Sequence, residues 1–240
     1  MVGTGRCGTV FFAKLLTSLG IPCGHETFFQ CDGMEYNLAR LENSPDMPSL
    51  GVSATARRAS ENEVWFGKDR KLQADASYMA APFLDQPYLD KTSIIHVVRN
   101  PIKVINSFIG FGYFKPGIHT TVETTNGWVY SEGDYHRFIY ENVPELYSEG
   151  LTQIDKAALY YVRWNELIEK KSARLRYLFQ RSEDDYKELF DFLGVSGEGA
   201  YSNKLANAGG AADTITCLDD IPNQDCREQL AEIGSRYGYF

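Results

Sequence analysis

Apolar and polar positions alternate between two periods along this chain. After Met1-Val2 and a GTGRCGT run, TVFFAKLLTSLG spaces Val10, Phe11, Leu15, Leu16 and Leu19 at near-helical intervals, with Gly20 as a stop. Little of a first strand stands before that run, which implies a very short strand or a trimmed start. IPCGHE reads as a short second strand or a loop edge, and Met34 to Asn43 as a helix. Ser44 to Lys71 reads mostly as loop, with a strand at Val64-Trp65-Phe66. SIIHVV is a continuous apolar run suited to a parallel strand buried on both faces. Asn100 is placed to cap the helix that follows, IKVINSFIGF, with Pro101 at its first position. Gly112 to Gly133 reads as a long loop, Lys156 to Lys171 as a helix and LRYLFQ as a strand. EDDYKELFDFLGV reads as a helix ending at Gly194, and Gln224 to Tyr237 as the final helix. Strand and helix alternate without a repeat or a linker. The expected fold is therefore α/β, a single domain over residues 1–240 with a mostly parallel central sheet flanked by helices.

Composition narrows the class. The 240 residues are 43% apolar and 23% charged, enough to bury a full core and unlike a disordered or collagenous chain. Basic residues number 24 and acidic residues 32, a net charge of -8 that repels polyanions over most of the surface. Nucleic acid and anionic membranes are therefore not expected as partners, and an anionic ligand needs a local basic pocket. No apolar run approaches the roughly 18 residues of a membrane span, and no signal-peptide pattern is present. Cys7, Cys23, Cys31, Cys217 and Cys226 form no C-x-x-C pair, so they are read as reduced thiols, and the expected location is cytoplasmic.

Gly3-Thr4-Gly5-Arg6-Cys7-Gly8 satisfies G-x-G-x-x-G, and Gly3, Gly8 and Thr9 loosely satisfy G-x-x-x-x-G-x-[ST] without the Walker lysine. In either pattern, glycines let backbone N–H groups approach a phosphate at a helix N-terminus. A strand-to-helix turn that holds no ligand satisfies both as well. A dinucleotide fold wants an acid about 20 residues on, ending an apolar strand. Glu26 stands near that distance, but Pro22 and Gly24 make a poor central strand. Arg6 and Thr9 instead suit an anion other than a magnesium-bound triphosphate. His96, inside an apolar run, reads as a satisfied core residue. His119, His136 and the basic run Arg57, Arg58, Lys68, Arg70 and Lys71 read as surface, with a place for His119 in an acceptor pocket and for part of the basic run at a ligand left open. Phe108, Phe111, Tyr113 and Phe114 read as core, while their glycine-broken spacing leaves a pocket open as the alternative.

GTGRCGT before an apolar helix resembles the 5′-phosphosulfate loop of sulfotransferases that use 3′-phosphoadenosine 5′-phosphosulfate. VVRNPIKVINSF is similar to that family's 3′-phosphate motif, an arginine and a serine separated by seven residues. LRYLFQRSEDDYKELFDFLGV and the Tyr-Gly-Tyr ending resemble the family too. The resemblance implies a P-loop-like domain moving a sulfuryl group to a hydroxyl of a carbohydrate or small-molecule acceptor, with 3′,5′-adenosine bisphosphate as product. It implies that Gly5, Arg6, Cys7, Gly8 and Thr9 wrap the phosphosulfate, and that Arg99 and Ser107 hold the 3′-phosphate. Arg6 takes the place of the family's loop lysine, and its planar fork suits charge building on the leaving oxygen. Asn203, Lys204 and Asn207 stand where the family's C-terminal Arg-Lys-Gly segment is absent. Sulfuryl transfer needs no metal on this logic. A general base must reach the acceptor; Glu26 is the first candidate, His25 the second and Asp75 the third. A nicotinamide-dependent Rossmann oxidoreductase and a nucleotide-binding module without catalysis are the other readings.

Overall fold

The strand SIIHVV sits where its composition requires, in the middle of a parallel ladder. A computed structural model describes residues 1–26, 73–89, 91–115, 122–123, 129–130, 138–173, 175–182, 185–198 and 214–240. Expectations for Cys31, Met34–Asn43, Ser44–Lys71, His119, His136, Asn203, Lys204 and Asn207 lie outside these. The protein is an α/β chain with a small parallel sheet and helices. Contacts divide it into two units. The first is Met1–Gln30, Leu38–Arg99 and Leu167–Ala208; the second is Cys31–Asn37, Asn100–Glu166 and Gly209–Phe240.

In the first unit, strands β1 (Val2–Gly3), β2 (Cys23–His25), β3 (Ala74–Ala76), β4 (Ser93–Val98) and β7 (Arg176–Arg181) accompany helices α1 (Thr9–Ser18) and α4 (Lys187–Leu193). Parallel ladders join β1, β4 and β7 in that order, pairing Val2 with His96 and Val97 with Gln180. A second parallel ladder joins β2 and β3, with Gly24 opposite Asp75. Two main-chain bonds connect the ladders: Met1 donates to the Asp75 carbonyl at 2.7 Å, and the Ser77 N–H donates to the Met1 carbonyl at 3.0 Å. That pair of bonds is the signature of a parallel bridge. The strands therefore run β2, β3, β1, β4, β7.

Neighbours on both sides explain the unbroken apolar run of β4, of which only Ser93 is exposed. His96 is fully buried, with Nδ1 2.7 Å from the Tyr177 hydroxyl, and is the satisfied core residue expected of it. Helix α1 buries two adjoining stripes. Phe12 and Leu15 pack with Ile95, Val97, Leu178 and Leu189, while Ala13 and Leu16 pack with Cys23 and Ala76. Each large side chain removed from water contributes about 1.5–3 kcal/mol. The chain leaves α1 at Gly20, φ 84°, and leaves α4 at Gly194, φ 68°, where both stops were expected.

In the second unit, Asn100 caps α2 (Pro101–Gly110) by accepting the Lys103 N–H at 3.2 Å, with Pro101 at the first turn. Helix α3 (Gln153–Ser172) begins before the expected Lys156, and its last turns enter the first unit. Thr152 and Asp155 form a reciprocal capping box, Oγ1 accepting the Asp155 N–H and Oδ2 accepting the Thr152 N–H. Asp155 also accepts the Asn223 N–H at 2.8 Å, fastening the start of α5 (Gln224–Arg236), one residue shorter than expected. Asn106 is 6% exposed and pins a distant segment. Its amide donates to the Ile215 carbonyl and accepts the N–H groups of Thr214 and Ile215.

Phe108 and Phe114 are buried against Tyr160, as expected of core aromatics, whereas Phe111 is 55% exposed. It caps the end of α2, beyond the last turn that faces the core. The expected loop from Gly112 to Gly133 contains an antiparallel pair, β5 (Val122–Glu123) and β6 (Val129–Tyr130), whose β-branched and aromatic residues favour strand. Among the described residues no helix is long and apolar enough to cross a membrane.

Candidate functional site

The run from Gly3 to Thr9 forms a tight turn between β1 and α1, and packing dictates its shape. A Cβ on Gly3 would lie 2.2 Å from the Val97 carbonyl oxygen and 2.5 Å from Cys7 Sγ, so only glycine admits β4 and the returning loop this closely. Arg6 and Gly8 both take left-handed backbone, φ 67° and 105°. For arginine that conformation costs roughly 1–2 kcal/mol, so the surrounding contacts must hold it. One such contact is Arg99, which follows β4 and donates from Nη1 to the Arg6 carbonyl at 3.1 Å.

Gly8 occupies the cap position of α1 and has no side chain to cap it with, and the first turn of the helix holds no acid. The positive end of the helix dipole is therefore not neutralised by the helix's own carboxylates. A tight turn feeding a helix N-terminus lets successive N–H groups converge on an anion. Thr4 lies within the loop at 1% exposure, and its Oγ1 has no hydrogen-bond partner among the described residues. A buried hydroxyl left unsatisfied is uncommon. The sequence signal for Thr4 is its hydroxyl between the first two loop glycines.

Cys7 faces inward. It is fully buried among Phe12, Leu15 and Val97, and its N–H donates to the Thr4 carbonyl at 3.3 Å. Burial pushes its thiol up to about 12, with the nearby Arg99 charge opposing the shift. The side chain is a packing group rather than a nucleophile. Gly5 is buried and Arg6 half-buried.

The segment Cys23–Glu26 returns to this loop, as expected from the stop at Gly20. His25 ends β2 and sets Nε2 3.0 Å from Thr9 Oγ1. Glu26 is 8% exposed, its N–H donates to the Ala76 carbonyl, and Oε1 lies 3.6 Å from the same His25 Nε2. Its backbone is also left-handed, φ 50°. Asp75 is 9% exposed and stands opposite Gly24 on β3. The fold thus gathers Gly5, Arg6, Cys7, Gly8, Thr9, His25, Glu26 and Arg99 around one turn. Ser107 stands half-buried on α2, in the second unit. Among the described residues, no group of three or more His, Cys, Asp and Glu side chains is placed to hold a metal ion.

No protein-family model matches the chain, and a search of curated proteins found no match either.

Proposed function

We propose that this protein is a sulfotransferase using 3′-phosphoadenosine 5′-phosphosulfate, acting on a hydroxyl of a carbohydrate or small molecule. The observation that carries the reading is the turn at Arg6 and Gly8, opening onto an uncapped helix with Arg99 bonded to it from the neighbouring strand. Strand order supports it against the dinucleotide alternative. In a Rossmann unit the strand after the first helix lies beside the first strand. Here β3 pairs with β2 on one side and bonds the Met1 backbone on the other, so among the described residues β2 does not lie beside β1.

On this P-loop-like reading, the turn from Gly5 to Thr9 wraps the 5′-phosphosulfate, while the Cys7 N–H stays with the Thr4 carbonyl and holds the turn closed. The Arg6 side chain meets charge as it builds on the bridging oxygen, and positioning supplies most of the remaining acceleration. Arg99, bonded to the loop, holds the 3′-phosphate. Glu26, next to the histidine that touches Thr9, accepts the acceptor hydroxyl's proton as oxygen attacks sulfur and the bisphosphate leaves.

Calorimetry with 3′,5′-adenosine bisphosphate, ATP and NAD tests the assignment. Preference for the bisphosphate is expected, together with transfer of label from the phosphosulfate to a sugar or phenol panel. Preference for NAD overturns the reading, and bisphosphate binding with no transfer to any acceptor reduces it to a binding module.

A further inference from the structure

Two contacts converge on one nitrogen of His25, and together they define a role other than proton acceptance. Thr9 Oγ1 lies 3.0 Å from Nε2, and Glu26 Oε1 lies 3.6 Å from the same atom. An ionised carboxylate oxygen only accepts, whereas a hydroxyl carries one proton and two lone pairs. A bare Nε2 lone pair would face the carboxylate with like charge density. A proton on Nε2 bonds Thr9 Oγ1 and presents positive rather than negative charge density to the carboxylate.

From this geometry we infer that His25 is a positioning residue: it donates from Nε2 to Thr9 Oγ1 and so turns the Thr9 hydroxyl proton outward, as a donor to the loop's anion. Thr9 is the first residue of α1, so its hydroxyl stands at the turn where the helix N-terminal N–H groups emerge. With Nε2–H occupying a lone pair, the Thr9 proton is available to an anionic oxygen. If Nε2 instead accepted, Thr9 would spend its only proton on the ring and present lone pairs to the anion. The arrangement is held from both sides. β2 fixes His25 opposite Ala76, and the Glu26 N–H bonds the Ala76 carbonyl at 3.1 Å. A nitrogen that donates to Thr9 cannot take a proton from an acceptor alcohol in the same state, which leaves that task to Glu26. The anion's identity rests on the function proposed above; the role of His25 does not.

A double-mutant cycle separates this role from structural support. Affinity for 3′,5′-adenosine bisphosphate is measured by calorimetry for wild type, His25→Ala, Thr9→Val and the double variant, with thermal unfolding of each. Each single change is expected to weaken binding about fivefold, the worth of one hydrogen bond. The double variant should be no worse than the singles, and His25→Gln, whose amide donates, should restore most of the loss. Where His25→Ala fails to fold, His25→Phe keeps the ring volume without the donor and takes its place. Additive losses overturn the inference. So does His25→Gln with wild-type affinity and collapsed turnover, which would make His25 the base. Should wild type ignore the bisphosphate, the proposed function fails, and the same cycle is read with inorganic sulfate. Coupling there upholds the inference, while additivity or no sulfate binding overturns it.

Discussion

Arg99 and Arg6 are 93 positions apart in the chain, and the guanidinium of one donates to the backbone carbonyl of the other at 3.1 Å. The contact ties a strand end to the left-handed turn of the loop, at the residue whose backbone is under strain. It also puts a fixed positive charge close enough to Cys7 to be felt by the thiol.

If Arg99 grips a 3′-phosphate, Arg99→Ala should weaken 3′,5′-adenosine bisphosphate far more than 5′-AMP. A charge-assisted hydrogen bond is worth roughly 1.5–3 kcal/mol, tenfold or more in affinity. Equal losses for both nucleotides in titration calorimetry would confine Arg99 to holding the loop.

Glu26→Gln keeps size and most polarity but removes the proton acceptor. Turnover should fall by roughly 10²-fold or more with bisphosphate affinity nearly unchanged. Near-normal turnover, with collapse in Asp75→Asn, would move the base to β3.

Gly3→Ala should cost about 2 kcal/mol or more, because its Cβ meets the Val97 carbonyl and Cys7 Sγ at overlapping distances. Gly20→Ala is the control: among the described residues no non-neighbouring atom lies within 4 Å of the added Cβ, and the cost is only that of alanine in left-handed backbone, about 1 kcal/mol. Urea unfolding that ranks the two alike would contradict the close approach of β1 to β4.

Transfer should survive a strong chelator, since the chemistry proposed here places no metal on the phosphosulfate. Loss of activity on chelation and its recovery with magnesium would point to a kinase-like mechanism instead.

The thiols give a pH signature. Cys7 titrates near 12 when folded and near the ordinary value of about 8.5 when unfolded, and burial raises Cys23 as well. Between those values the folded chain holds protons that the unfolded chain releases, so stability falls as pH rises through the window. Urea midpoints should drop from pH 8 to pH 10, and less steeply in Cys7→Ala. Iodoacetamide at pH 8 should label the exposed Cys217 and spare Cys7; rapid labelling of Cys7 in the folded protein would contradict its burial.

Elements whose own residues decide their state were legible from the sequence. SIIHVV has no polar face to offer water, Asn100-Pro101 is a cap and first turn in two residues, and Gly194 ends α4 by its own backbone freedom. β3 was not legible. Ala74-Asp75-Ala76 carries no strand preference and is extended because β2 and the Met1 backbone pair with it. The start of α3, at Gln153 rather than the Lys156 that apolar spacing alone suggests, is encoded locally, since Thr152 and Asp155 stand at capping-box spacing. At the site, the loop announced itself by its glycines. The meeting of Thr9 with His25 did not, because it depends on the length of α1 and the register of β2, neither of which any local motif encodes.

The order of the strands also governs when the loop can exist at all. Met1 finds its partner at Asp75, 74 positions on, and Arg6 is bonded by a residue 93 positions on. Pairings so distant in sequence form late, because chain closure must precede any reward from contact. Synthesis proceeds from the amino end, so the loop emerges before the neighbours that shape it are made. A nascent chain halted before Ser93 would carry GTGRCGT without the β4 carbonyl that shapes Gly3 or the guanidinium that holds Arg6. Its anion affinity would have to arise after translation of β4, not before.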